Sequence, residues 1–210
     1  KLHWRDTTQH MLNALRSTPW LIAVGACTGS VPVENGPDSA DAFQNDWEQV
    51  VETTGAFDAD WAEHWAEVAE AIGPGAILIR DLKDGSPMEL DWAQQSSVAC
   101  FPGTQNASYE GHHLLFVMQK PAHTSIEIRV EPEPGVDISI YSLQQGTESY
   151  ILPPDTQQAV SCEASLSETA GGTEKLELVA SNNPYNLVIG VAGTAEHNSG
   201  RLLLELVSPQ

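Results

Sequence analysis

The chain has 210 residues, 41% of them hydrophobic, with 29 Asp and Glu against 9 Lys and Arg and a formal net charge of −20. That length suits one ordinary domain plus an extension, and the apolar content suffices for a packed core. Such acidity repels phosphate backbones, which argues against nucleic acid as a partner, and it keeps the chain off anionic lipid headgroups unless a covalent anchor holds it there.

The charge is uneven. Residues 1–27 hold Lys1, Arg5 and Arg16 against Asp6, and residues 28–79 hold eleven Asp and Glu with no Lys or Arg. No run of about 18 apolar residues exists, so no transmembrane helix is expected. In chain order, MLNALRSTPWLIAVGAC (11–27) comes first. Arg16, the apolar run Trp20 to Val24, then Gly25 and Ala26 before Cys27 follow the order of a secretory signal. A cysteine after small residues resembles the bacterial lipobox, in which the thiol is lipidated, so Cys27 is the candidate anchor and 1–27 the signal segment. The alternative is an ordinary helix over 10–24 with Cys27 a free thiol. Residues 28–38, rich in Pro, Gly and Ser, read as a linker.

Residues 39–75 read as an acidic helical hairpin. Phe43, Trp47, Val50 and Val51 share one helical stripe, and Trp61, Trp65, Val68 and Ile72 share a second. Asp58 or Asp60 can cap the second helix, and Gly73-Pro74 ends it. If Trp47, Trp61 and Trp65 were exposed they would form a protein- or carbohydrate-binding platform; the expectation is that they are buried against the rest of the chain.

Strand signals dominate 76–210. AILIRDL leads through a KDGSP turn to MELDW, and then HHLLFVM (112–118), TSIEIRVE (124–131), VDISIYS (136–142), KLELVA (175–180) and RLLLELV (201–207) follow. Ile126, Ile128 and Val130 fall on one face, and Ser125, Glu127 and Arg129 on the other, the period of a half-buried strand. NNPYNLVIGVAG is continuously apolar, as a central strand covered on both sides should be. Short strands between turn residues predict a mainly β fold: an antiparallel, jelly-roll-like β-sandwich with the helical hairpin packed on it. Cys100 and Cys162, in SSVACF and AVSCEA, sit at strand positions. Bridged, they would close a loop of roughly 60 residues, worth about 4 kcal/mol less any strain; the alternative is two buried free thiols.

The segments GHHLLFVMQKPAHTSIEIRV, GVDISIYSLQQGT and NPYNLVIGVAGTAEHNSGRLLLELV carry a resemblance. Over residues 98–207 the chain is similar to the bacterial pre-peptidase C-terminal domain, with Asp137, Tyr141, Tyr185, Gly190 and Gly200 at that family's marks. The resemblance implies a secreted β-sandwich, ordinarily a non-catalytic attachment beside an enzyme. The acidic hairpin, the cysteine pair and the lack of a peptidase domain depart from that pattern.

Candidate chemistry is sparse. His112 and His113 are adjacent on a strand and point to opposite faces, so they cannot chelate one metal from one side, and no Cys or His spacing matches zinc. Glu131, Glu133 and Asp137 flank the EPEPGVD turn and are the candidate calcium ligands, since that ion takes six to eight oxygens. No nucleophile elbow or phosphate-binding loop is present, and no catalytic residue is assigned. The sequence thus reads as a non-enzymatic binding or scaffolding protein of the bacterial cell envelope, outside the cytoplasm. The alternatives are a secreted hydrolase with acidic catalytic residues and a self-assembling structural subunit.

Overall fold

The computed structural model describes residues 46–65, 69–95, 103–155, 159–166 and 170–208, all within one compact unit, Ala40–Gln210. Cys27, the signal segment, the linker and Cys100 lie outside the described residues; so does the pairing of Cys100 with Cys162.

The described strands form two sheets. One runs β1 (Glu70–Ala71), β4 (His112–Lys120), β9 (Tyr185–Gly193), β6 (Ile138–Gln145) and β7 (Ala159–Leu166), and β3 (Ser86–Pro87) shares the β1 side of β4. The other runs β2 (Ile77–Asp81), β10 (Arg201–Val207), β5 (Ile126–Pro132) and β8 (Glu174–Leu178). The ladders are antiparallel save the two-residue β1–β4 pairing. The chain is therefore mainly β, a two-sheet sandwich.

Alternation decides which side chains meet between the sheets. Ile126, Ile128 and Val130 of β5 and Leu202, Leu204 and Leu206 of β10 face Leu114, Phe116 and Met118 of β4 and Ile138 and Ile140 of β6 in one aliphatic cluster. Each such side chain, fully buried, contributes about 1.5–3 kcal/mol over its exposed state. β9 is buried at every residue. It lies between β4 and β6, with Leu187, Ile189 and Val191 turned into this cluster and Val188 and Ala192 into a second one on the opposite face. That is why its sequence shows no alternation.

Several expected elements differ. MELDW is not a strand: the chain pairs only at Ser86–Pro87 and then forms a short helix, α2 (Asp91–Gln95). Of the first helix in the hairpin, the described part is a 3-10 turn, Asp46–Gln49. Beyond it the chain has no regular structure up to Thr53, which bridges Ile77 on β2 through bonds of 2.9 and 2.8 Å. Val51, placed on the buried stripe by helical spacing, is consequently 83% exposed. The second helix begins as expected: Asp58 Oδ1 accepts from the Asp60 and Trp61 amides and caps α1 (Ala59–Glu63). It does not run on to Ile72, because Glu70 and Ala71 pair with Phe116 and Val117 as β1, so the sandwich begins before Ala76. Gly73 belongs to a close approach of two loops; a Cβ there would lie 2.1 Å from the Ala56 carbonyl oxygen.

No described helix is long and apolar enough to cross a membrane.

Candidate functional site

The outer face of the six-stranded sheet is covered by residues that are far away in sequence. Trp61 and Trp65 from α1 and its following turn, Leu90, Trp92 and Ala93 around α2, and Tyr109 pack on Val117, Tyr141, Leu143, Val188 and Ala192. The register sets the rows they meet: Val117, Val188 and Leu143 lie in one line across three strands, and Leu115, Gly190 and Tyr141 lie in the next. Gly190 matters in that second row. A Cβ there would lie 2.1 Å from the Tyr141 ring, so the ring lies directly over a bare stretch of backbone.

Three buried polar groups fasten this cover. Asn186 accepts from the Trp61 indole at 2.9 Å and donates to the Thr147 and Ser149 carbonyls at 3.0 and 2.8 Å, so both of its N–H donors and its oxygen are engaged. Gln145 pairs with both backbone groups of Ile151. His113, 4% exposed, sits 2.7 Å from the Tyr109 carbonyl through Nε2, which must therefore carry the proton. Nδ1 is then the acceptor for the Tyr141 hydroxyl at 3.1 Å, a better one than the Met88 sulfur 3.9 Å away. Burial pushes the His113 pKa down, His112 adds to that, and the bond to Tyr109 opposes it. Burial pushes the Tyr141 and Tyr109 phenols well above their usual range. These hydrogen bonds hold the cover in place on the sheet.

At one edge the cover opens into a cleft of about 660 Å³. β3 pairs with His112 and His113, and β1 pairs with Phe116 and Val117. Among the described residues, Leu114 and Leu115 between them have no strand partner on that side, and the cleft lies there. Arg80 of β2 reaches across from the other sheet. Its guanidinium makes a two-pronged contact with Glu70 of β1, and Nη1 lies 2.7 Å from Glu52. The cleft adjoins, through Pro87 and Met88, a more polar hollow of about 410 Å³. Asp84, Glu89, Asp91 and Glu110 on these two rims are exposed. Arg80 is the one Lys or Arg among the lining residues, and it is already tied to two carboxylates.

The residues singled out by sequence are not gathered at one site. Trp47, Trp61 and Trp65 are 6%, 6% and 0% exposed, so they offer no platform. Nor do they meet at one surface: Trp47 lies under the Arg201 guanidinium, 5.8 Å away, while Trp61 and Trp65 cover the other sheet. The calcium set is not brought together either. Glu133 spends its carboxylate on the Arg201 amide and guanidinium at 2.7 and 3.1 Å, and no three His, Cys, Asp or Glu among the described residues converge as a metal site. His112 and His113 do point apart, His112 to the Leu82 carbonyl and His113 to Tyr141. The Arg80 bond holds Glu52 below the usual carboxylate range, and Lys83 does the same for Asp81. Neither is the raised-pKa acid that a glycosidase requires.

Sequence reasoning missed the cleft and its acidic rim. The string DLKDGSPMELD showed acids beside a turn, but nothing local says that β4 passes uncovered between two short strands.

No family model matches the chain, and no curated protein matches it. Among solved structures it is similar to the pre-peptidase C-terminal domain of a collagenase from Bacillus anthracis, at 14% identity and TM-score 0.40 over 67% of this chain and 95% of that one. It is also similar to CorA, a surface-associated copper-binding protein of Methylomicrobium album BG8, at 8% identity and TM-score 0.36 over 67% of this chain and 98% of that one. A third likeness is to accessory secretory proteins 1, 2 and 3 of Streptococcus pneumoniae, at 14% identity and TM-score 0.30 over 49% of this chain and 70% of that one. None of these likenesses passes a ligand or an activity to this chain.

Proposed function

We propose that this chain is a non-enzymatic binding protein of the bacterial cell envelope, acting outside the cytoplasm, which takes a basic segment of a partner protein at the acid-rimmed cleft. One observation carries this reading: exposed Asp84 stands on the rim of the cleft over Leu114 and Leu115, exposed Glu89, Asp91 and Glu110 border the hollow that adjoins it, and Arg80, the one Lys or Arg among their lining residues, is already tied to two carboxylates. A chain of net charge −20 also draws a basic partner toward it at long range. Arg80 is held by Glu70 and Glu52, which leaves the exposed acids of the rim to set the sign of the surface.

Fluorescence anisotropy with a labelled nine-residue peptide of alternating lysine and valine tests it. The peptide should bind, weaken as salt rises, and lose at least about tenfold in affinity with Asp84→Asn, Glu89→Gln and Asp91→Asn combined, each carboxylate being a rim charge. Equal binding of a glutamate–valine peptide, or no loss in the triple variant, would overturn the reading. The envelope location rests on the Cys27 motif. Cys27→Ser should release the protein from the membrane fraction, and a mature protein retaining residues 1–26 would contradict lipidation. Export also implies a bridged Cys100 and Cys162, which non-reducing peptide mass spectrometry would show; two free thiols would count against it.

A further inference from the structure

The acid-rimmed cleft is lined by Leu114, Leu115 and Phe116 in succession. Side chains of successive strand residues point to opposite faces, so three in a row share a cleft only where it runs along the strand's edge. That edge is backbone, and the ladders fix which groups it presents. In an antiparallel pair, alternate residues turn both N–H and C=O toward the same neighbour. The Val117 carbonyl accepts from the Ile72 amide at 2.9 Å, on the β1 side. The β4–β9 register runs unbroken from His113 to Lys120. Leu115, two residues before Val117, therefore turns its N–H and C=O to the β1 side, while Leu114 and Phe116 turn theirs to β9. Among the described residues, no strand residue stands opposite Leu115 there: β3 stops opposite His113 and β1 starts opposite Phe116.

The opening between those two strands is about 10 Å long at the rise of a strand. That excludes a long added strand and admits one residue of an extended chain, which enters and leaves through the mouth of the cleft. The molecule already holds a pairing of this size. Thr53 and Ile77 form an isolated antiparallel bridge on the edge of β2, with bonds of 2.9 and 2.8 Å.

We propose that the cleft holds the basic segment of its partner protein by the backbone: one apolar residue of that segment exchanges both N–H···O bonds with Leu115, and the lysines or arginines beside it reach the acids of the rim. This rests on the acid-rimmed cleft as the docking site and adds how the segment is held there. Residues opposite each other in an antiparallel bridge share a face. Leu115 packs against the aromatic cover of the outer face, as do Met88 and Leu152 of the cleft wall. The partner's paired residue lies on that same face among apolar groups, which selects an apolar side chain there and leaves charge to its neighbours. Main-chain bonds then supply affinity, and the wall beside them supplies specificity.

Fluorescence anisotropy with the lysine–valine peptide and two backbone-methylated forms of it tests the proposal. N-methylation of every valine removes the donors that face Leu115 and should lower affinity at least about tenfold. N-methylation of every lysine alters amides that face away from β4, and this form should bind as the parent peptide does. On the protein, saturation with the parent peptide should slow solvent exchange of the Leu115 amide more than that of Leu114, whose N–H already faces β9. Equal binding by all three peptides would overturn the backbone pairing and leave the cleft as a surface that reads charge alone. An unchanged Leu115 exchange rate at saturation would also overturn the pairing. No binding by the parent peptide would overturn both the pairing and the docking site.

Discussion

The two faces of the six-stranded sheet are packed by different means. Between the sheets, β4, β6 and β9 meet the Leu, Ile and Val side chains of β2, β5, β8 and β10, and the contacts follow from alternation within strands. On the outer face the same three strands meet Trp61, Trp65, Trp92 and Tyr109, delivered by turns and short helices and fastened by Asn186, Gln145 and His113. An aliphatic interior absorbs small changes by repacking, whereas an aromatic cover fixed by buried hydrogen bonds does not. The outer face should therefore be the more sensitive of the two to single substitutions.

Trp61→Ala should show this most strongly. It removes a nearly buried ring and leaves Asn186 Oδ1 without the indole donor, so a loss of about 3–5 kcal/mol is expected by urea unfolding. Trp61→Phe separates the two contributions: it keeps most of the ring, and about 1–3 kcal/mol should remain from the stranded amide alone. Gly190→Ala comes next. The new methyl meets the Tyr141 ring, itself wholly buried, and about 1–3 kcal/mol of overpacking should appear as a lowered denaturant midpoint. Ile140→Val is the matched probe of the inner face and should cost only about 0.5–1.5 kcal/mol. If Ile140→Val costs as much as Gly190→Ala, the contrast between the two faces fails.

The shallowest effect is on pH dependence. The folded His113 pKa lies below its ordinary value of 6.5, so the unfolded chain takes up the proton first as pH falls. This contribution to stability is complete above the ordinary value and is lost on acidification through and below it. Tyr109, Tyr141 and Met88 face the ring, and His112 is the neighbouring titratable group; none supplies a carboxylate to hold a protonated imidazole. Thermal midpoints should therefore fall from pH 7 toward pH 5.5, and His113→Asn should flatten that slope. An unchanged slope would place the His113 environment elsewhere.

The inner face was legible in the sequence because its information is local. Ile126, Ile128 and Val130 announce a face by spacing alone, and the unbroken run through Leu187 and Ile189 announces a strand covered twice. The outer face was not legible, because its contacts are distant. Trp61 and Asn186 are separated by 125 positions, and nothing near either one names the other. Helical spacing put Trp47 on one stripe and Trp61 and Trp65 on another, with all three expected against the rest of the chain; the chain leaves the helix after Gln49, and the rings go to different sheets. Glu133 resembled a calcium ligand beside Glu131 and Asp137 until Arg201, brought alongside by the β5–β10 ladder, took its carboxylate. The acid-rimmed cleft depends on where two-residue strands stop, and periodicity cannot resolve elements so short.

The central claim is that the outer face is a closed structural layer and that recognition belongs to the cleft at its edge. Backbone amide and indole chemical shifts, followed while the lysine–valine peptide is titrated in, test it most directly. The account predicts saturable shifts centred on Glu70 and Ala71, Ser86 to Met88, and Leu114 and Leu115, with the Trp61 indole resonance unmoved. Shifts centred on Trp61 and Trp65, with the cleft amides silent, would contradict it.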